Sequence, residues 1–335
     1  MDGADRDLLD EIQRSFPLVV RPFDELAGRL GTTPGDVKSR IARLRAEGIL
    51  RQLSAIFDTR RLGYSSSLVA MEVEPARLED VASSVNRHPG VSHNYERDHE
   101  FNLWFTLAVP PGADLDAEAG ALGRLPGVTS MRMLPTLRLF KIGVQLEMSE
   151  ERKREVRPSE PGREASRAPF VPTERDKEFV RQMQADLEIS DEPFAGPASR
   201  LGITQEDLFA QMARYQELGV MRRFAAILRH RQAGFSANGM IVWRVPEGRI
   251  EEVGQMLGSF PQVSHCYQRP TYPDWPYNVF SMIHCRTRQE AAGVASEIQS
   301  HVGVDDYRML FSLREFKKTR VEYFVEAPAD LRVPA

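Results

Sequence analysis

Cysteine is scarce in this sequence, because only Cys266 and Cys285 occur among its 335 residues. Two cysteines cannot form a disulfide framework, and their spacing matches no two-cysteine zinc or iron–sulfur hairpin. We expect both thiols to be small buried hydrophobic groups in a protein of the reducing cytoplasm. The sequence also has no apolar run near the ~20 residues that cross a bilayer, and its acidic start precedes no apolar segment. These absences argue against membrane insertion and secretion.

An excess of positive charge is absent as well. The 44 basic and 48 acidic side chains leave a formal net charge of −4, which disfavours a broadly basic nucleic-acid binder. The sequence contains no glycine-rich phosphate loop, dinucleotide-binding glycine motif, nucleophile elbow or HExxH metal motif. A nucleotide enzyme, a serine hydrolase and a metal hydrolase are therefore disfavoured. The length instead suggests two or three ordinary domains.

The sequence is an internal duplication. LGTT at 30–33 recurs as LGIT at 201–204, VSHNYER at 91–97 recurs as VSHCYQR at 263–269, and RMLPTLRLFK at 132–141 recurs as RMLFSLREFK at 308–317. Between the copies, the segment 149–172 is rich in charge and interrupted by proline, which predicts a linker. The chain is therefore expected to contain the same architecture twice.

The sequence pattern of each copy predicts a helical part followed by a β-α-β-β-α-β part. In the first copy we predict helices at 5–15, 23–30 and 34–47 and a β ribbon at 50–58, the outline of a winged helix-turn-helix. Strands at 66–74, 91–97, 101–109 and 128–140, with helices at 76–87 and 113–122, then give the ferredoxin-like order. The predicted fold class is α+β, with winged helix-turn-helix domains at 1–60 and 173–231 and ferredoxin-like domains at 61–148 and 232–325.

The two presumptive recognition helices differ in charge. The segment 32–48 has a net charge of +2, whereas 204–219 has a net charge of −2. A dimeric DNA-binding protein needs two recognition helices that can each approach DNA. The negative charge of the segment 204–219 would repel the phosphate backbone. We therefore expect modules that pack and pair the two copies rather than bind DNA.

One polar pattern stands out in the predicted strands of both copies. Strand side chains alternate between faces, so His93, Tyr95 and Arg97 share one face. A sheet face that packs on a core should be apolar, yet this one carries a proton donor, a phenol and a fixed cation. The second copy repeats the same three residue types with His265, Tyr267 and Arg269. A solvated face or an ionic seam remains the alternative, but the repetition favours a binding or catalytic site.

Further polar residues surround these strands in the sequence. Arg132 and Arg138 are six positions apart and are predicted on one face of the last strand, as are Arg308 and Arg314. Arginine forms bidentate pairs with carboxylates. A cavity lined by arginines and histidines of both copies would therefore suit a molecule with several carboxylates. The remaining histidines, His88, His230, His284 and His301, are expected to be structural. The candidate substrate-binding residues are His99, Asn102, Arg132, Arg138, Trp275, Asn278, Arg308 and Arg314.

The order of elements resembles that of Lrp/AsnC-type regulators. Within it, the strings HNYERDHEFNLWFT at 93–106 and HCYQRPTYPDWPYN at 265–278 resemble the two partner subunits of siroheme decarboxylase, here joined in one chain. The resemblance implies loss of two CO2 from acetate arms of sirohaem, giving 12,18-didecarboxysirohaem in haem d1 or alternative haem biosynthesis. The alternatives are a DNA-binding regulator that responds to a haem or an amino acid, and a pairing module without catalysis.

The resemblance also suggests roles for residues. His93 and His265 would donate protons or anchor carboxylates, Tyr95 and Tyr267 would hydrogen-bond to them, and Arg97 and Arg269 would clamp carboxylates. His99 would be a second acid or an axial ligand to the iron. No cofactor or protein-held metal is expected, because the iron belongs to sirohaem. Three questions stay open: whether the protein forms a homo-oligomer, whether a second decarboxylase protein is its partner, and which half of the chain holds the competent site.

Overall fold

The computed structural model describes residues 1–142, 170–228, 237–285 and 287–328. The chain forms two compact units. The helical unit contains 1–64, 170–228 and 322–324, and the sheet unit contains 65–142, 237–285, 287–321 and 325–328. Most of the linker and His230 lie outside the described residues. No described helix is long and apolar enough to span a membrane.

The helical unit holds a three-helix module from each copy. Thr33 begins the third helix of the first copy by accepting a hydrogen bond from the Asp36 N–H at 3.2 Å. Gly31 ends the preceding helix with φ of 66°, which favours glycine. The helices are α1 (Gly3–Arg14), α2 (Pro22–Leu30), α3 (Pro34–Ala46), α6 (Glu174–Met183), α7 (Ala195–Leu201) and α8 (Gln205–Glu217).

The ribbon expected within each copy is instead shared between the copies. Each copy contributes one strand, β1 (Leu50–Phe57) and β7 (Met221–Leu228), and these pair antiparallel as a two-stranded sheet. The helix-turn-helix prediction is thus confirmed, but the β strands join the two modules rather than form a wing on either one. This pairing supports the interpretation of the helical part as a device that holds the copies together.

The sheet unit contains both β-α-β-β-α-β parts. The predicted element order is confirmed in each copy, and the helices lie against one face of the strands with separate apolar cores. The first copy supplies β2 (Ser65–Val73), α4 (Leu78–Asn86), β3 (Val91–Arg97), β4 (Leu103–Val109), α5 (Leu115–Gly123), β5 (Val128–Leu134) and β6 (Arg138–Ile142). The second supplies β8 (Ala237–Trp243), α9 (Ile250–Ser259), β9 (Val263–Gln268), β10 (Val279–Cys285), α10 (Arg288–Val302) and β11 (Tyr307–Lys318).

The strands of the sheet unit form one nine-stranded sheet in the order β5-β2-β4-β3-β11-β8-β10-β9-β6. The long strand β11 pairs with β8 of its own copy and with β3 of the other copy. The short strand β6 of the first copy pairs with β9 of the second. The strands of the two copies therefore pair within one chain to form a single sheet.

In each copy, the strands have one face that packs against the helices, the helix face, and an opposite face, the inner face. The helix faces bury the apolar clusters under α4 and α5 and under α9 and α10. The inner faces share a third cluster, which draws residues from both copies. Its members are Ala70, Phe101, Trp104, Leu134, Met240, Val242, Trp275, Tyr277, Phe280 and Leu310.

The predicted single strand at 128–140 is wrong. The chain leaves the sheet at Pro135, which has no N–H to donate, and strand β6 begins only at Arg138. Arg132 lies opposite Ala70 on the inner face, whereas Arg138 pairs with Glu251 of α9 on the helix face. The six-residue spacing therefore does not place the two arginines on one face.

The same expectation fails in the second copy for a related reason. Strand β11 has a bulge between Ser312 and Arg314, and the extra residue reverses the face of Arg314; the register shifts again between Glu315 and Lys317. Arg308 is opposite Val242 on the inner face, but Arg314 bonds Glu96 at 3.0 Å and pairs with Glu79 of α4 on the helix face.

Candidate active site

The two histidine–tyrosine–arginine triplets lie on the inner face, as alternation predicts. In β3, the rings of His93 and Tyr95 are 6.2 Å apart, and the Arg97 guanidinium lies 5.8 Å from the Tyr95 ring centre. In β9, the rings of His265 and Tyr267 are 6.1 Å apart. The sequence duplication is therefore also a duplication of geometry.

The residues between the triplet members lie on the helix face. Asn94 is buried and donates to the Ala82 carbonyl at 3.3 Å and to Asn86 Oδ1 at 3.0 Å. Its counterpart Cys266 is buried in the core that lies against α9, as expected for a small hydrophobic group. Cys285 is buried in the same core. Packing on this side fixes the strands, so the opposite side chains must face inward.

Each triplet histidine follows a serine that occupies an irregular position in the strand. The pairing register shifts between Val91 and His93 and again beside His265. Ser92 Oγ lies 3.0 Å from His93 Nδ1, and Ser264 Oγ lies 2.9 Å from His265 Nδ1. Bulges re-aim side chains next to functional sites, and here each one places a hydroxyl on the imidazole.

The two triplet arginines connect the copies. Arg97 donates to the Leu310 carbonyl of the second copy at 3.0 Å, and Arg269 donates to the Leu134 carbonyl of the first. Burial lowers the pKa of each guanidinium to about 10, so both remain charged at neutral pH. Neither forms an ion pair with a carboxylate among the described residues, and the buried Nε of each has no hydrogen-bond partner there.

The other arginine candidates divide by face. Arg132 forms a bidentate pair with Asp274, with Nε 2.8 Å from Oδ1, and lies over the Phe101 ring. Arg308 is exposed and donates to the Tyr277 hydroxyl at 3.2 Å. Arg138 and Arg314 are on the helix face, so neither side chain points toward the triplets.

Asn102 and Asn278 have matching positions that are occupied by structural hydrogen bonds. The Asn102 side chain accepts from the Val73 N–H at 3.0 Å and donates to the Val73 carbonyl at 2.8 Å. Asn278 forms the same two bonds with Val245, at 2.9 and 2.8 Å. Each amide thus braces the end of a neighbouring strand, and the alignment of the pair reflects folding rather than a contact with a ligand.

The ring of His99 lies against Trp275, a member of the shared inner cluster. Trp275 is only 1% exposed, and the ring centres of the two residues are 5.3 Å apart. His99 Nδ1 accepts from the Phe101 N–H at 3.0 Å, so its neutral ring carries the proton on Nε2. Burial lowers the pKa of His99, which favours this neutral form. The geometry opposes the axial ligand role, because neither nitrogen then offers a lone pair to iron.

One residue that sequence reasoning treated as structural belongs beside the second triplet. His284 Nε2 lies 2.9 Å from Ser264 Oγ, which also contacts His265. The alternation of Phe280, Met282 and His284 along β10 was the available signal, because it places His284 on the inner face. Among the described residues, no group of three histidine, cysteine or acidic side chains is arranged to hold a metal ion.

Comparison with known proteins identifies both halves of the architecture. A family model described as AsnC-like ligand binding domain matches residues 61–141 and 232–317, and one described as Siroheme decarboxylase NirDL-like HTH domain matches 5–51 and 176–222. A siroheme decarboxylase from Hydrogenobacter thermophilus is 42% identical over 320 residues, which cover 95% of this chain and 94% of that protein. The chain belongs to the siroheme decarboxylase family.

Two further relatives of this family bear on the site. A crystal structure of the siroheme decarboxylase NirDL in co-complex with an iron-uroporphyrin III analogue matches with a TM-score of 0.75 and 37% identity, covering 96% of this chain and 95% of that one. A siroheme decarboxylase beta subunit from Methanosarcina barkeri is 45% identical over 146 residues, which are 44% of this chain and 96% of that subunit. The family thus includes separate subunits of half this length.

Proposed function

We propose that this protein removes CO2 from two acetate arms of sirohaem, giving 12,18-didecarboxysirohaem, and that the inner face of the sheet unit binds the macrocycle. Family membership over nearly the full chain supports the reaction. The related structure with an iron-uroporphyrin III analogue supports binding of an iron tetrapyrrole that carries several carboxylates. We place His93, Tyr95, Arg97, His265, Tyr267 and Arg269 in the binding and reacting surface.

The observation that carries this proposal is the pair of triplet arginines. A buried cation without a counter-ion is costly, and a desolvated guanidinium is a strong partner for a carboxylate. Among the described residues, neither Arg97 nor Arg269 has an acidic hydrogen-bond partner. An anionic ligand that enters the inner face would supply the missing charge. A substrate with several carboxylate arms fits this requirement in both copies.

The reaction needs orientation and one proton for each CO2. The bond between the carboxylate carbon and the methylene carbon breaks, and its electron pair is delocalised by the conjugated macrocycle. A triplet histidine then gives a proton to the methylene carbon, which becomes a methyl group. Such general acid catalysis contributes about 10²- to 10⁴-fold in rate. Because the substrate supplies the electron sink, we propose that no organic cofactor takes part.

Proton uptake should accompany substrate binding. Burial and the neighbouring His284 ring lower the pKa of His265 to about 4, so this imidazole is neutral in the free protein at pH 7. A carboxylate beside the ring favours its charged form and raises its pKa. We therefore expect sirohaem binding at pH 7 to take up protons. Calorimetric titration in two buffers of different ionisation enthalpy measures this number, and no uptake would contradict the charge change proposed for His265.

The helix-turn-helix modules are not proposed to bind DNA, because the basic side chains of α3 are already paired. Arg40 and Arg43 both contact the buried carboxylate of Asp5. Lys38 pairs with Asp191, and Arg45 pairs with Asp186 at 2.7 Å. Neutralised cations release few counter-ions from a phosphate backbone. We expect no gel shift with promoter DNA at low salt, and a shift that weakens steeply with added salt would favour the regulator instead.

The reaction itself is tested with the purified full chain and sirohaem under reducing, oxygen-free conditions. Mass analysis should show a product lighter by two CO2, with no cofactor added. A reaction without protein is the control for spontaneous loss. Binding of the pigment without a change in mass would favour a pairing module that lacks catalysis. Because the assay contains this protein alone, formation of the product would show that no second decarboxylase protein is required, and gel filtration in the same buffer measures the oligomeric state.

A further inference from the structure

The two triplets differ in their surroundings, and the difference selects one of them. We infer that decarboxylation takes place at His265, Tyr267 and Arg269 of the second copy, and that His284 is a positioning residue that acts on His265 through Ser264. This inference rests on the proposed function and names the reacting half of the chain.

Ser264 connects the two imidazoles of the second copy. Its hydroxyl lies 2.9 Å from His265 Nδ1, 2.9 Å from His284 Nε2 and 3.2 Å from the Met282 carbonyl. A hydroxyl has one proton and can accept through two lone pairs, whereas a carbonyl can only accept. The Ser264 proton therefore goes to the Met282 carbonyl, and both rings must donate to Ser264.

This arrangement fixes the tautomer of His265. Its neutral ring carries the proton on Nδ1, which leaves the lone pair on Nε2. His284 fills the second acceptor position of Ser264, and the hydroxyl cannot rotate to donate to His265 without losing its bond to the Met282 carbonyl. Upon substrate binding, Nε2 can take up a proton and deliver it to the methylene carbon as the CO2 leaves, after which the neutral tautomer is restored.

The first copy lacks this connection. His93 lies opposite Thr106 just as His265 lies opposite Met282, so the position that corresponds to His284 is Ala108, two residues along β4. Among the described residues, Ser92 Oγ contacts only the ring of His93. A single bond of this kind does not decide whether the hydroxyl donates or accepts. The tautomer of His93 is thus not fixed by Ser92.

The neighbouring strands add a second difference. Tyr95 lies opposite Glu315 of β11, whereas the equivalent Tyr267 lies opposite Leu139 of β6. Leu139 is 40% exposed, so it presents an apolar surface next to the second triplet. A flat macrocycle gains from such a surface, and its carboxylates would be repelled by Glu315. Lys318 opposite His93 offsets that repulsion only in part, because it lies two pairs further along the strand.

The arginines differ in the same direction. Arg97 is 6% exposed and has the Asp98 carboxylate nearby, which favours its charge. Arg269 is half-buried, and only the Tyr267 phenol acts on its charge in this way. The second copy therefore offers the more accessible and less compensated cation. The fixed tautomer of His265, the apolar surface of Leu139 and the less compensated charge of Arg269 all favour the second triplet.

The test measures turnover of sirohaem by the full chain with Ser264→Ala, His284→Ala and the matched first-copy variant Ser92→Ala. We expect Ser264→Ala and His284→Ala each to lower kcat by about 10- to 100-fold, the range found for residues that orient a ligating or reacting histidine. The KM should stay within a few-fold, because neither side chain is placed on the substrate. Ser92→Ala should turn over at nearly the wild-type rate.

Rescue distinguishes positioning from simple loss of packing. His284→Gln retains an N–H that can donate to Ser264, so it should recover most of the kcat that His284→Ala loses. Equal losses in Ser92→Ala and Ser264→Ala, an unchanged kcat in His284→Ala, or a His284→Gln variant as slow as His284→Ala would each overturn the inference. If the wild-type protein releases no CO2, the proposed function fails instead, and the two failures are thereby distinct.

Discussion

Replacement of His265 by alanine is expected to lower the rate of CO2 loss by about 10²- to 10⁴-fold, the range for removal of a general acid. The His265 imidazole is the proposed proton donor of the second triplet, and its Nδ1 lies 2.9 Å from Ser264 Oγ. Because His265 is only half-buried and lies outside the apolar cores, the variant should keep its fold. Its affinity for sirohaem should fall much less than its rate.

The matched control for this variant is His93→Ala, which removes the equivalent ring from the first copy. Single-turnover mass analysis separates the two variants, because it counts products that have lost one and two CO2. We expect His265→Ala to stall before the first loss and His93→Ala to form the final product. If each variant instead lost one CO2 and stopped, the two triplets would each react with one acetate arm.

Much of the fold could be predicted because it is encoded locally. Capping residues and apolar periodicity place α1, α2 and α3 within two residues of their bounds in the structure. The duplication then extends each assignment to the second copy, so that one correct prediction is made twice. The inward direction of the triplets also follows from local information, because the alternation of side chains along a strand needs no knowledge of its neighbours.

What failed depended on pairing between distant strands. The bulge in β11 reverses the face of Arg314, and nothing in the string 308–317 marks the extra residue. The break before β6 is visible only as Pro135, which we read as part of a continuous strand. The role of His284 was missed because its partner Ser264 lies on another strand. Side-chain partners of this kind are set by register, which sequence periodicity does not determine.

Replacement of Arg269 by methionine is expected to weaken sirohaem binding by roughly 10- to 150-fold, which corresponds to the 1.5–3 kcal/mol of a hydrogen bond to a charged group. Methionine keeps an unbranched side chain over the Tyr267 ring but removes the charge that a carboxylate arm would contact. The change also leaves the Leu134 carbonyl without its donor, which costs about 1–3 kcal/mol in the free energy of unfolding.

Arg97→Met separates the two effects, because it removes the mirrored bond to the Leu310 carbonyl. Both variants should lower the thermal midpoint of the sheet unit by similar amounts, since each loses one inter-copy hydrogen bond of the same kind. Both variants should raise the Kd for sirohaem, measured by anaerobic spectral titration, and Arg269→Met should raise it more, because the Arg269 side chain is more exposed than that of Arg97. An equal rise in Kd for both variants would contradict the preference for the second copy, and an unchanged Kd in Arg269→Met would mean that this guanidinium only connects the copies and does not bind the substrate.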